Sequence, residues 1–256
     1  MSNAGGCSAS DALRTPKATT MPNAVLLNNV DHQALRVVTR RAAEYGDQVM
    51  YAVTFPAEFR SLQAHYPIVF QKTVDGTGFQ PIAMFGFQEG QNLFLGPQGW
   101  DAAYLPLAIA RQPFLIGVSG DELMVHVDLD SPRLSASMGE PVFLPHGGTT
   151  EYLERMNSVL LALHQGLQST PAFIAALLEH GLLESFVFDV ERPDGSQGRL
   201  AGFHTINEER LGELDGAALE RLNRAGHLQA IYMALASVSN FRALVDRQNQ
   251  RDGGWR

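Results

Sequence analysis

From Ala24 to Phe87 the apolar residues come in short runs divided by proline, glycine and acidic residues, the texture of strands rather than long helices. Residues 48–55 (QVMYAVTF) are rich in β-branched and aromatic side chains and stop at Pro56, as a strand does. Residues 56–66 predict a short helix, with proline at its start, Phe59 and Leu62 at helical spacing, and Pro67 behind it. Residues 68–73 and 79–87 flank Val74-Asp75-Gly76-Thr77-Gly78, the composition of a hairpin loop. Residues 92–95 predict one more short strand before a Gly-Pro stop.

Beyond Trp100 the pattern loses its period of two. A short helix is expected at 106–111, then strands at 114–118 and 123–129 joined by a turn at Asp121-Glu122, and a proline- and glycine-rich loop over 130–148. At Thr149 the period lengthens: Leu153, Met156, Leu160, Leu163 and Leu167 recur every three or four residues behind a Thr-Thr-Glu start. A second helix is predicted over 171–180, begun by Pro171 and stopped by Gly181. A pair of strands follows at 183–190 and 199–206 around a Pro193-Asp194-Gly195 turn, then helices at 215–225 and 228–248. No apolar or glycine spacing recurs at a fixed period, which excludes solenoids and propellers. These elements make an α+β protein, a strand-rich N-terminal half packed with a helical C-terminal half in a single compact domain. Residues 1–22 read as a disordered leader or tag remnant, and residues 249–256 as a frayed tail.

Length and charge narrow the function classes. With 256 residues, 45% of them hydrophobic and 18% charged, one apolar core offsets the entropy of ordering the chain. A net charge of -8 repels phosphate backbones and anionic lipid surfaces, so nucleic acid is not an expected partner. The single cysteine, Cys7, lies in the leader and cannot form an internal disulfide. Neither a charged-then-apolar signal segment nor a run of roughly 18 apolar residues is present, so no integral membrane segment and a cytoplasmic location are expected.

Candidate chemistry is sparse. His126-Val127-Asp128 puts a histidine and a carboxylate on one side of a strand, two legs of a two-histidine, one-carboxylate iron site. His204, on a predicted strand, is the best third ligand, and together they define an Fe(II) oxygenase alternative. No serine sits in a nucleophile elbow, and the glycine-rich stretches lack the lysine and spacing of a phosphate cradle. Eleven aromatic residues crowd the 60 residues from Phe55 to Phe114, most of them expected in the core. Among the residues of that segment, Trp100, Tyr104 and Arg111 are the ones that would line a groove for a peptide or sugar.

Several of these stretches, in order, resemble the SapC family of bacterial proteins: Asn29-x-x-His32-x-x-Leu35-Arg36-Val37, Phe55-Pro56-x-x-Phe59, Tyr66-Pro67-Ile68-Val69-Phe70 and Pro81-Ile82-Ala83-Met84-Phe85-Gly86-Phe87. The series continues with Asn92-Leu93-Phe94, Trp100-Asp101-x-x-Tyr104-Leu105-Pro106, Arg111-x-Pro113-Phe114-Leu115, and Gly202-Phe203-His204-Thr205-Ile206-Asn207-Glu208 with Leu211. The resemblance runs from about residue 25 to 247, within an expected SapC-like domain of residues 23–248. It implies an association with bacterial surface layers, and gene neighbours resembling tryptophan-halogenase flavoproteins and TonB-dependent receptors hint at nutrient uptake or peptide modification. It brings no catalytic residues. The expectation is therefore a non-catalytic binding or accessory protein without a cofactor, contacting a peptide, glycan or partner protein. The oxygenase and a surface-layer structural component are the alternatives.

Overall fold

A computed structural model describes residues 23–119, 122–191 and 197–253. The leader with Cys7, Asp121, the Pro193-Asp194-Gly195 turn and residues 254–256 lie outside the described residues. The strands are β1 (Ala24–Leu26), β2 (Arg36–Val37), β3 (Tyr51–Val53), β4 (Ile68–Lys72), β5 (Phe79–Met84), β6 (Leu95–Gly96), β7 (Gly99–Trp100), β8 (Phe114–Ser119), β9 (Glu122–Asp128), β10 (Leu134–Ser135), β11 (Glu140–Pro141), β12 (Leu183–Glu191) and β13 (Gln197–Ile206). The helices are α1 (Phe59–Leu62), α2 (Leu107–Ala110), α3 (Glu151–Glu179), α4 (Glu208–Gly212), α5 (Gly216–Arg224), α6 (His227–Ser237) and α7 (Asn240–Asp252).

The main sheet is antiparallel in the order β12-β13-β4-β5-β3. Its centre is sealed on both faces, because residues 68–70 and 82–84 are all buried without alternation, the signature of a strand covered from two sides. Phe70 meets Phe173 of α3, with ring centroids 6.4 Å apart, and the Ile68 N–H donates to the Ser237 hydroxyl at the end of α6 (2.9 Å). The β12-β13 hairpin carries a bulge opposite Val187, where Phe186 pairs with Phe203 but Phe188 with Leu200. Gly202 absorbs it in the left-handed region at φ 88°, which a side chain would strain.

A second sheet, β1-β9-β8, and the small β10-β2-β11 sheet enclose a separate apolar cluster around Val37, Phe114, Val127 and Val142. The α3 helix joins the two bodies. Tyr152, Leu153, Met156 and Leu160 pack in the smaller cluster, whereas Phe173, Ile174 and Leu177 pack in the larger one. Its start is as the Thr-Thr-Glu pattern implies, with the Thr150 hydroxyl accepting from the Leu153 N–H.

The α+β class stands, with several elements redrawn. The break expected before Pro171 is absent, and α3 runs through it as one helix of 29 residues. The helix expected over 56–66 shrinks to a 3₁₀ turn, Pro56–Glu58, followed by one turn of α1. The strand expected at 92–95 reduces to β6, because Asn92 spends its side chain on turn contacts: its amide NH2 donates to the Asp47 carbonyl and its oxygen accepts from the Phe94 N–H. The long C-terminal helix is two, α6 and α7, and α7 continues to Asp252 rather than fraying at 249. The stretch His227–Asp252 is long and apolar enough to cross a membrane by length and composition. In this fold it breaks between Ser237 and Asn240, and Ile231, Ala234, Phe241 and Leu244 are buried in the main core.

Candidate functional site

Tyr66 is the node of the aromatic segment. Fully buried, it meets Phe94 and Phe85 at centroid distances of 4.7 and 5.4 Å. The Trp100 indole N–H donates to the Tyr66 hydroxyl (2.8 Å), and that hydroxyl donates in turn to the Tyr104 carbonyl. Trp100 also stacks on Phe94, with ring planes 12° apart. The ring foreseen as a ligand platform is thus committed to the core, and burial raises the Tyr66 phenol well above its ordinary value.

Beside this network lies a cleft of about 440 Å³ between residues 55–61 and the middle of α3, walled by Phe55, Ala57 and Ser61 on one side and by Ala162, Gln165 and Gly166 on the other. Tyr104 and Leu107 close one end. A Cβ on Gly166 would stand 2.1 Å from the Phe55 ring, so only glycine lets the helix approach this closely. At Ala57 and Ser169 the cleft meets a second hollow of about 290 Å³, which is bordered by Arg60, Phe173 and the turn into α6 at Gly226 and His227. Burial lowers the His227 imidazole.

Glu58 forms the floor of the larger cleft and is only 3% exposed. One carboxylate oxygen accepts from the Tyr104 hydroxyl (3.0 Å) and from the Leu107 N–H at the start of α2 (2.7 Å), and the other accepts from the Thr54 hydroxyl (2.6 Å). Burial pushes this carboxyl above its ordinary value, and the three donors pull part of the way back. The Tyr104 phenol is raised too, first by burial and then by the neighbouring Glu58 charge. Sequence reasoning missed Glu58. An acid after Phe-Pro is unremarkable until Leu107, 49 positions on, folds over it.

The three proposed ligand-binding residues do not line one groove. Tyr104 borders the cleft just described, Trp100 borders neither of its hollows, and Arg111 faces a different groove against Leu115, Ile116 and Leu163.

Nor does the fold gather the proposed iron ligands. His126 and Asp128 do share one side of β9, but His126 packs over Gly117, where a Cβ would come 2.4 Å from the imidazole, and Asp128 accepts from the Asp130 N–H. His204 lies on β13 in the main sheet, edge-on to Phe79 at 4.7 Å. Its buried Nδ1 has no partner among the described residues, and burial followed by the Lys72 charge lowers its basicity. Among the described residues no three His, Cys, Asp or Glu side chains are grouped to hold a metal ion.

The SapC family model matches residues 27–244 of the 256. This chain belongs to the SapC family. No curated protein and no solved structure matches it. The SapC resemblance can be read in physical terms: Phe55, Phe59, Tyr66, Phe70, Phe85 and Phe94 are buried and hold the core around the cleft. Asn92, 1% exposed, fixes the turn that carries Asp47. In this chain those stretches build a scaffold that shapes the cleft bordered by Glu58 and Tyr104.

Proposed function

We propose that this SapC protein is a non-catalytic binding or accessory protein that takes an extended segment of a partner protein in the cleft along α3. The observation that carries this reading is the state of Glu58, the cleft's one carboxylate, whose two oxygens are held by three donors. A general base must reach the proton it removes, and this carboxylate is buried and turned toward Thr54, Tyr104 and Leu107. Glu58 is instead a fixed part of the wall.

The rest of the lining favours a peptide. Small side chains, Ala57 and Ala162, leave room for a main chain, while the exposed Ser61 hydroxyl and Gln165 amide offer both donors and acceptors to it. The net charge of -8 argues for a protein partner over nucleic acid.

The test is selection from a random peptide library on the whole protein, followed by titration of the selected peptides monitored by amide chemical shifts. Ala162 is exposed, so Ala162→Trp fills the cleft without disturbing the core. Shifts clustered on residues 55–61 and 162–169, and a loss of affinity of at least tenfold in Ala162→Trp, are expected. Peptides that bind equally well to Ala162→Trp, or a selection that returns none, would sink the reading.

A further inference from the structure

On the opposite side of α3 the same two turns build a second groove of a different kind. Leu160, Leu163 and Leu167 face Leu115 and Ile116 of β8 across a hollow of about 230 Å³. The spacing of α3 puts these leucines roughly half a turn from Ala162, Gln165 and Ser169, so the peptide cleft and this groove use opposite helix faces. Its walls are aliphatic, and Leu167 remains 39% exposed along it.

One cation stands in this apolar setting. Arg111, just after α2, donates from one terminal nitrogen to the Phe114 carbonyl (2.7 Å), and that is its side chain's single hydrogen bond among the described residues. A guanidinium carries five N–H donors. None of the ion pairs formed among the described residues includes Arg111. Its unused nitrogens are not sealed off and keep access to the groove. Desolvation lowers this guanidinium with no acid nearby to offset it. By contrast, Arg133 and Arg41 share Asp47, and Arg247 holds Asp101.

We propose that this groove is a binding site for an unbranched aliphatic carboxylate, its head group paired with Arg111 and its chain lying between the α3 leucines and β8. A carboxylate supplies the missing counter-charge in the planar geometry a guanidinium fits. The leucines and Ile116 supply a surface that rewards methylenes. His164 on the rim is engaged with Gln168, 2.8 Å away, and does not compete for the head group.

The experiment is calorimetric titration of the full chain with hexanoate, octanoate and decanoate below their micelle concentrations, with decanol as the uncharged probe. Affinity is expected to rise about fourfold for each methylene buried, the equivalent of about 0.8 kcal/mol. Decanoate is expected to bind at least tenfold more tightly than decanol. Arg111→Met keeps the apolar stem and removes the charge, and should erase that preference. Leu167→Glu, at an exposed position, puts a like charge at the groove mouth and should weaken decanoate at least tenfold even if Arg111→Met fails to fold. Equal affinity for decanol, no growth with chain length, binding indifferent to Leu167→Glu, or saturation only by peptide carboxyl termini would each overturn the proposal. The Ala162→Trp protein must still bind decanoate, which separates this site from the peptide cleft.

Discussion

Glu58 is a buried acid whose environment resists its charge. Burial raises its carboxyl above the ordinary 4.5, and the donors from Leu107, Thr54 and Tyr104 only moderate the rise. Between 4.5 and the raised value the folded chain holds a proton that the unfolded chain has released. Stability contributed by this group is therefore fully present below that window and falls as pH rises through it. Glu58→Gln keeps the shape and an acceptor for Leu107, and it removes the titration. Urea midpoints measured from pH 4 to 8 are expected to show a smaller decline with pH in Glu58→Gln than in the parent, with the variant at least as stable at pH 8. A steeper decline in the variant would mean that the ionised form is the one the fold favours. Nothing in the local sequence marks this residue, because its environment is made by distant segments that meet over it. Tyr104, singled out for its ring, borders the cleft, whereas Trp100, chosen on the same ground, is tied to Tyr66 and half-buried against the core.

At the scale of elements, legibility follows how local the cause is. The β4-β5 hairpin was readable because Asp75 and Gly76 dictate a turn and residues 68–70 can only be interior. The start of α3 was readable from Thr150, and the split of the C-terminal helix at Ser239 was not. Pro171 is the instructive error. Proline lacks an N–H and clashes with the preceding turn, so by itself it ends a helix. Here Phe173, Ile174 and Leu177 beyond it are buried in the main core, and their burial outweighs the defect. The hydroxyls of Ser169 and Thr170 both donate to the Gly166 carbonyl, adding side-chain hydrogen bonds in the turn just before the proline. Since Pro171 is exposed and makes no contribution through its ring to the core, Pro171→Ala should restore a helix bond and raise stability by about 1–3 kcal/mol. Chemical denaturation reads this directly. An unchanged or lowered midpoint would show that the proline is matched to its helix.

The whole molecule is two apolar clusters held in one body by α3, about 43 Å long at 1.5 Å per residue, and by one buried ionic knot. Asp47, fully buried ahead of β3, accepts from one Arg133 nitrogen at both of its oxygens, 2.5 Å each, and from Arg41 at 3.2 Å. Arg133 arrives from the loop after β9 and also donates to the carbonyls of Val38 and Arg40, while Arg41 reaches the Ile109 carbonyl at the end of α2. Asn92 holds the Asp47 carbonyl from the other side. Asp47 and Arg133 are 86 residues apart, and sequence reading passed over both because an isolated aspartate and arginine look like solvated surface. Removing one member of such a pair leaves a buried charge uncompensated, so Asp47→Ala should cost about 3–5 kcal/mol. Adding Arg133→Met to it replaces the orphaned cation with an apolar chain and should recover much of that loss. Hydrogen exchange distinguishes a joint between the clusters from general support. In Asp47→Ala the amides of Val125 and Val127 in β9 should lose protection well before those of Val69 and Ile82 in β4 and β5, because the smaller cluster then keeps only α3 and its loops as anchors. Equal loss in both sheets would mean that the knot supports the molecule as a single cooperative unit and joins nothing separable.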